Sequence, residues 1–151
     1  MHGLFVIDKW DACEITADDL PALQLFFAAN PEYFHAVNGM PPREDEAWQE
    51  FNDRPPAGMP YERQVMIGIF DQQNQLVAMA SVLSNFIASG VWHIGLFIVA
   101  TRLHGNGAAS SIYTALEAWM SQSGAQWIRL GVVLGNQRAE RFWQKMGYTE
   151  L

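Results

Sequence analysis

The sequence predicts a single α/β domain (α+β mixed) built around a mixed β-sheet, and three observations support this. The chain has 151 residues, half of them apolar, which suits one domain that can bury a core. Residues 64–86 show the pattern of an antiparallel hairpin. Residues 91–146 then alternate between strand-like and helix-like apolar spacing, which is typical of a sheet crossed by helices.

The first sixty residues are predicted to be mainly helical after one strand, Gly3 to Ile7. Thr16 and Asp19 have the spacing of a capping box at a helix start. The helical repeat is carried by Leu20, Leu23 and Phe27 and ends at Asn30-Pro31. The rest of this part is an aromatic segment at 32–35, a helix at 43–51 and a proline-rich loop at 55–60.

The remaining residues are predicted to complete the sheet and its helices. The hairpin comprises strands 64–70 and 76–86, joined by a polar turn at 71–74. Strand 91–99 is almost continuously apolar, as expected for a strand buried on both faces. The later elements are a helix at 108–122, a strand at 126–133, a helix at 136–146 and the start of a last strand at 148–151.

Composition excludes several classes of protein. Residues 1–75 hold 13 acidic and 4 basic side chains, whereas residues 76–151 hold 3 and 5. The acidic half disfavours nucleic acid and favours a cationic ligand, although these acids can also simply solvate surface helices. Cys13 is the one cysteine, so we expect neither a disulfide framework nor a cysteine zinc site. No apolar run is long enough for a signal sequence or membrane span, and we predict a cytoplasmic protein with no membrane partner.

A glycine-bearing loop, His104 to Ala109, lies between a predicted strand and a predicted helix. The first turn of a helix has four unpaired N–H groups and a partial positive charge, and small residues let a pyrophosphate approach them. An ordinary strand-to-helix turn is the alternative. A P-loop is excluded because the loop has no lysine. A dinucleotide-binding fingerprint is excluded because residues 123–134 contain no acid.

The last predicted helix carries a second motif. Asn136 suits a helix N-cap and Gly147 the left-handed position after the helix end. Together with the glycine loop, this segment resembles the GCN5-related N-acetyltransferase (GNAT) superfamily. The family's Asn-x-x-Ala-x-x-Phe-Tyr/Trp-x-x-x-Gly-Phe/Tyr signature is matched at Asn136, Ala139, Phe142, Trp143, Gly147 and Tyr148.

The family's Arg/Gln-x-x-Gly-x-Gly/Ala signature maps onto His104, Gly107 and Ala109. A second register, which starts at Arg102, also fits, but the first aligns the following helix without a shift. The resemblance is strong from about Ile94 to Tyr148 and only architectural before that. It implies a GNAT-like central sheet, mixed and mostly antiparallel, flanked by helices.

The resemblance also implies that the chain binds acetyl-coenzyme A (acetyl-CoA) and needs no metal. The backbone of strand 91–99 would pair with the pantetheine amides, and the glycine loop would hold the pyrophosphate. The cofactor residues that it implies are Phe97, Ile98, Val99, His104, Gly105, Asn106, Gly107, Ala108, Ala109, Asn136, Phe142 and Trp143. Arg138, Arg141 and Lys145 are candidates for the nucleotide phosphates.

In this family a neutral amine attacks the acetyl carbonyl directly, so a base must first take its proton. His93 and Glu62 are the candidate bases, and each has an ordinary structural role as its alternative. The family's usual tyrosine acid is replaced here by Trp143, whose indole N–H is only a donor. Tyr113 and Tyr148 are its candidate substitutes.

The acceptor pocket is expected to involve side chains of the first helices and the hairpin, namely Tyr33, Phe34, His35, Tyr61 and Asn85. The predicted function is N-acetyl transfer from acetyl-CoA to a primary amine of a small molecule or peptide. A non-catalytic acyl-CoA-binding sensor or interaction module is the alternative. The family continues with a further strand where this sequence stops at Leu151, so we expect either a truncated C-terminal strand, which we favour, or a homodimer that supplies the edge.

Overall fold

The computed structural model describes residues 2–151. The strands are β1 (His2–Ile7), β2 (Trp10–Glu14), β3 (Arg63–Phe70), β4 (Leu76–Ser84), β5 (Val91–Val99) and β6 (Trp127–Leu130). The helices are α1 (Leu20–Ala29), α2 (Glu32–Asn38), α3 (Glu46–Asn52), α4 (Ala108–Gln122) and α5 (Gln137–Lys145). Short 3₁₀ turns at Ala17–Asp19 and Thr101–Leu103 precede α1 and the glycine loop.

The six strands form one sheet in the order β1-β2-β3-β4-β5-β6. Every neighbouring pair is antiparallel except β5 and β6, which are parallel. This confirms the predicted mixed, mostly antiparallel sheet flanked by helices. Parallel pairing requires a crossover, and α4 supplies it.

The helices cover the sheet on both faces. One face packs against α4 and α5 through a core that includes Ile112, Tyr113 and Leu116. The other face packs against α1, α2 and α3 through a second core that includes Phe27 and Phe34. The predicted helical faces are therefore the buried ones.

Strand β2 was not predicted. It pairs with β1 across a two-residue turn, in which Ile7 lies opposite Trp10 and Asp8 adopts a positive φ of 51°. Turns of this kind usually carry glycine or asparagine, and the sequence Asp-Lys gave no such signal. The hairpin adds two antiparallel strands to the sheet edge beside β3.

Three further predictions differ from the structure. The aromatic segment at 32–35 opens a true helix, α2, which ends where Gly39 adopts a φ of 70°. The strand predicted at 126–133 ends at Leu130, because β5 and β6 diverge there. Residues 148–151 form no strand, and the outer edge of β6 carries no partner strand within the described chain.

The start of α3 contains a buried carboxylate. Glu46 is only 3% exposed, and the guanidinium of Arg43 donates to it at 2.8 and 3.0 Å. These hydrogen bonds lower the pKa of Glu46 to about 2. Burial, together with a shared hydrogen bond to Glu46, raises the pKa of Glu50 to about 7. The Arg43 side chain therefore neutralises a site that otherwise holds two carboxyls.

Replacing Arg43 with methionine is expected to lower the free energy of unfolding by about 2–3 kcal/mol at pH 7, because it leaves the Glu46 charge buried without a partner. The depressed pKa of Glu46 stabilises the wild type above pH 4.5, and this contribution is lost as the pH falls towards 2. Without Arg43 the carboxylate is instead penalised above pH 4.5. The deficit of Arg43→Met should therefore be larger at pH 7 than at pH 4.

Denaturant titration at both pH values checks this prediction. Arg141→Met is the matched control, because Arg141 is exposed on α5, and it should cost less than about 0.5 kcal/mol. An Arg43→Met deficit that is equal at the two pH values would show that the ion pair is not its cause.

Candidate active site

The site begins where β5 and β6 separate. The two strands pair only from Val91 opposite Trp127 to Ile94 opposite Leu130. Strand β5 continues to Val99, so its edge over residues 95–99 has no strand partner within the described chain. An open strand edge can accept an extended ligand as an additional strand.

A β-bulge at Gly95 marks the point of separation. In the pairing of β4 with β5, Leu96 lies opposite Ser81 and Ile94 lies opposite Val82, which leaves Gly95 without a partner. The bulge shifts the alternation of side chains along β5. Consequently Ile94 and Phe97, an odd number of residues apart, both face the core beneath α4 and α5.

A cavity of about 630 Å³ runs along this open edge. Ten of the twelve residues predicted to bind the cofactor line it, namely Phe97, Ile98, Val99, His104, Gly105, Gly107, Ala109, Asn136, Phe142 and Trp143. Asn106 and Ala108 do not; the Asn106 side chain instead accepts from the Ala108 N–H at 3.1 Å. Of the three predicted phosphate-facing cations, Arg138 and Lys145 line the cavity and Arg141 does not.

The glycine loop forms one end of this cavity. Gly105 and Gly107 both have a φ of 83°, and Gly107 is the N-cap of α4 without any side-chain cap. A Cβ at either position would meet no atom within 4 Å. The glycines are thus required by their backbone conformation, and the space above the first turn of α4 stays open to an anion.

The first turn of α5 forms another wall. The Oδ1 atom of Asn136 accepts from the backbone N–H of Ala139 at 3.3 Å, as predicted for a helix cap. This bond leaves its amide NH₂ group as the donor available to a ligand. Phe142 and Trp143 follow one turn later, and both pack on Phe97 of β5, with ring centroids 6.0 and 5.5 Å apart.

A second cavity of about 330 Å³ adjoins the first on the side of α2 and the segment after β6. Residues that line both cavities mark their junction, namely Tyr33, Phe97, Asn136, Ala139 and Trp143. Gly95 and Gly131 line the second cavity alone. A ligand in the first cavity could therefore meet a second ligand at this junction.

Of the predicted acceptor residues, the structure brings only Tyr33 into these cavities. Burial and the nearby carboxylates of Glu50 and Glu46 raise the pKa of Tyr33 to about 12. Phe34 is 1% exposed and packs on Phe27, so its prediction as an acceptor-lining residue is wrong; it faces the core one position along the helix from Tyr33. His35 is exposed on α2.

Glu62, Tyr61 and Asn85 lie at the ends of β3 and β4, and none of them lines either cavity. The Asn85 amide donates to Glu62 at 2.6 Å, and its oxygen accepts from the Gly90 N–H at 2.8 Å. Glu62 is therefore an exposed carboxylate that is held in place by a loop residue.

His93 lies on β5, two residues before the bulge and directly opposite Arg129 of β6. Its Nδ1 atom is buried and has no hydrogen-bond partner within the described chain. Burial and the neighbouring charge of Arg129 lower the pKa of His93, so its imidazole is neutral at pH 7. A buried ring nitrogen that has no hydrogen-bond partner can accept a proton while the imidazole is neutral.

Tyr113 and Tyr148 are not placed to act as acids. Tyr113 is 1% exposed, and its hydroxyl donates to Glu117 at 3.0 Å. The Tyr148 hydroxyl bonds to that of Tyr113. Burial raises the pKa of both, that of Tyr148 to about 12. Neither lines a cavity, so both stabilise the packing around Trp143.

Two side chains that carry no signal in the sequence position the loop before the cavity. The Asn30 amide donates to Phe26 O at 2.9 Å and accepts from the Thr101 N–H at 2.8 Å. Glu32 accepts from the Thr101 hydroxyl at 2.6 Å. The sequence marks Asn30 only as a helix end, because no local signal indicates a partner 71 residues away.

The sheet opens beside a helix N-terminus with a cavity along the opening, which agrees with the fold that the resemblance in the sequence implies. The profile of the acetyltransferase (GNAT) family matches residues 20–148. The chain therefore belongs to the GNAT family. A search of curated protein sequences finds no significant match.

Solved structures show the same fold at low sequence identity. An acetyltransferase from Thermus thermophilus is 19% identical with a TM-score of 0.77, covering 100% of this chain and 91% of its own. The PaiA N-acetyltransferase from Thermoplasma acidophilum, solved with coenzyme A, is 12% identical (TM-score 0.65, 93% and 89% covered). An aminoglycoside acetyltransferase from an uncultured soil metagenomic sample, solved with sisomicin, is 13% identical (TM-score 0.65, 95% and 91% covered).

Within residues 2–151, no three metal-ligating side chains come close enough to hold an ion. None of the described helices combines the length and apolar character needed to span a bilayer.

Proposed function

We propose that this protein is an N-acetyltransferase that moves the acetyl group of acetyl-CoA to a primary amine of a small molecule or peptide. The observation that carries the proposal is the cavity where the unpaired edge of β5 meets the open first turn of α4. The β5 wall supplies backbone N–H and C=O groups in extended conformation. The first turn of α4 supplies N–H groups that have no partner within the helix. This combination suits a ligand that is an amide-containing chain at one end and a pyrophosphate at the other.

In this arrangement the pantetheine arm lies along residues 97–99 and hydrogen-bonds to their backbone. The pyrophosphate rests on the first turn of α4, where Gly105 and Gly107 leave it room. Arg138 and Lys145 border the same cavity and add positive charge for the nucleotide phosphates. The thioester then lies at the junction of the two cavities, against Phe97, Trp143 and the amide of Asn136.

Transfer proceeds by direct attack of a neutral amine. The nitrogen lone pair forms the new C–N bond, the C–S bond breaks, and its electron pair leaves with the sulfur. The nitrogen, positively charged after the attack, then gives its extra proton to water, which leaves a neutral amide and the CoA thiolate. The ammonium proton passes to a base before attack, either directly or through one water. Backbone N–H groups at the free edge of β5, beside the bulge at Gly95, stabilise the oxyanion.

His93 is the better of the two candidate bases. Like Glu62, His93 lines neither cavity, so it would take the proton through water. Its unpartnered Nδ1 and lowered pKa give a neutral acceptor two residues before the bulge. Glu62 is exposed, and its carboxylate is already engaged by a short hydrogen bond from Asn85. No described side chain replaces the missing tyrosine acid, so we infer that the thiolate leaves unprotonated and later takes a proton from water, since a thiol has a pKa near 8.5.

The acceptor enters through the second cavity, past Tyr33. Residues 1–75, which include Tyr33, hold 13 acidic and 4 basic side chains. This balance favours a cationic amine over an anionic acceptor. The free, buried thiol of Cys13 suits a reducing compartment, and we place the reaction in the cytoplasm.

The test is thiol release from acetyl-CoA with a panel of amines, polyamines, amino acids and short peptides, beside calorimetric titration with CoA. We expect micromolar-range CoA binding and turnover with at least one cationic amine. The absence of CoA binding would overturn the proposal.

A second candidate function is a non-catalytic acyl-CoA sensor, favoured by Trp143 at the position of the family's acid. It predicts the same CoA binding but no thiol release with any amine. Binding without turnover across the whole panel would therefore favour the sensor.

A further inference from the structure

His104 stands where the family signature has arginine or glutamine, and its side chain makes two hydrogen bonds across the large cavity. Its Nε2 atom lies 2.9 Å from the carbonyl oxygen of Val99. Its Nδ1 atom lies 2.7 Å from a terminal nitrogen of the Arg138 guanidinium. The imidazole thus connects the end of β5 to the first turn of α5.

The two partners determine where the imidazole proton lies. A carbonyl oxygen can only accept, so Nε2 must carry the proton, and a guanidinium can only donate, so Nδ1 must present its lone pair. Arginine keeps its proton at all relevant pH values. The contact therefore exists only with the neutral ring, because a protonated His104 would offer a donor and a positive charge to Arg138.

We propose that His104 is a positioning residue for cofactor binding, which holds the exposed guanidinium of Arg138 at the cavity where the CoA phosphates bind. This inference rests on the proposed function. Arginine loses much rotamer freedom when it is fixed in one place. Because His104 already holds Arg138 in the free protein, this side-chain entropy is lost before CoA binds and no longer weakens CoA binding.

One acidic group faces the pair from the opposite wall. Glu32 of α2 is close enough for the charge of Arg138 to contribute to the lowering of its pKa, but the main cause of that lowering is its hydrogen bond from Thr101. Glu32 makes no ion pair with Arg138 in the described chain. The guanidinium charge is therefore still available to a phosphate.

The direction in which CoA affinity changes with pH distinguishes a positioning role of His104 from a simple charge effect. A histidine that acted only as a cation would bind CoA more tightly as it became protonated. A neutral His104 that positions Arg138 predicts weaker binding at pH 5.5 than at pH 7.5, because a protonated ring has no lone pair for the guanidinium. Glutamine offers both a donor and an acceptor without titrating. His104→Gln should therefore retain the contact and keep only the pH dependence of the CoA phosphomonoester itself, whose second pKa is about 6.

The experiment is calorimetric titration with CoA at pH 5.5, 6.5 and 7.5 for wild type, His104→Gln, His104→Ala, Arg138→Ala and the double alanine variant, with thermal melts to confirm folding. We expect His104→Ala to weaken binding about three- to tenfold at pH 7.5, His104→Gln to stay within about twofold of wild type, and the double variant to match Arg138→Ala.

Three results would each overturn the positioning role while leaving acetyl-CoA binding intact. The first is tighter binding of CoA to the wild type at pH 5.5 than at pH 7.5. The others are equal losses of affinity in His104→Gln and His104→Ala, and additive losses in the double variant. A wild-type protein that fails to bind CoA would overturn the proposed function itself.

Discussion

Replacing His93 with glutamine is expected to lower kcat with a good amine acceptor by about 100-fold, while CoA affinity stays unchanged. Glutamine keeps a polar side chain of similar length but cannot take the proton of the ammonium. The cofactor contacts lie beyond the bulge, so the loss should appear in turnover alone.

The pH dependence of kcat/KM is expected to differ between the wild type and His93→Gln. Burial and Arg129 lower the pKa of His93, so the base is neutral and active over a wider acid range than an ordinary histidine. Wild-type kcat/KM should rise through a pKa below 6.5 and reach a plateau by pH 7, apart from the titration of the amine itself. His93→Gln should lack that acid limb.

Glu62→Gln is the matched control, because it changes the other candidate base at the same sheet face. We expect less than a threefold change in kcat. The assay is initial rates of thiol release from pH 5 to 9. A large loss in Glu62→Gln with His93→Gln unaffected would transfer the role of base to Glu62.

Replacing Ser110 with glutamate is expected to weaken CoA binding by about 100-fold without unfolding the protein. Ser110 lines the large cavity at the third position of α4, where a glutamate is favourable for the helix itself. The same charge repels a bound pyrophosphate. A like charge about 5 Å away costs about 3 kcal/mol at an effective dielectric constant of 20.

This substitution is a better test of the phosphate site than a change at Gly107, where the positive φ of 83° would strain any side chain. Ala118→Glu is the matched control, since it adds the same charge to an exposed position further along α4. Calorimetry with CoA should show near wild-type affinity for the control. Equal affinities in the two variants would place the phosphates elsewhere.

The parts of the fold carried by local patterns could be predicted from the sequence. The β3–β4 hairpin, the buried strand β5 and helices α4 and α5 each have their own apolar repeat and start or stop signal. The first hairpin could not be predicted, because its turn at Asp8 lacks the usual glycine. The early end of β6 depends on its separation from β5, which is a property of the whole sheet.

The residues of the candidate site show the same difference between features with a local sequence signal and features that depend on distant segments. Residues of the glycine loop and of the α5 motif could be assigned, because helix N-termini impose recognisable residue types on adjacent positions. The contacts of Asn30 and Glu32 with Thr101 join segments about 70 residues apart, and no local rule predicts them. The family resemblance points to this whole segment as pocket lining, and only the turn of α2 separates Tyr33, which lines the cavities, from Phe34, which packs in the core.

The bulge at Gly95 means that β5 holds one residue more than its pairing with β4 needs. Without Gly95, Ile94 and Leu96 would be consecutive, and the strand would alternate regularly with each side chain on the face that it occupies now. A bulge bends its strand and interrupts the ladder, so the deletion should leave both cores packed and change the course of the backbone where β5 leaves β6. We therefore expect a Gly95 deletion to lower CoA affinity far more than it lowers the melting temperature, which calorimetry and a thermal melt of the same variant would check.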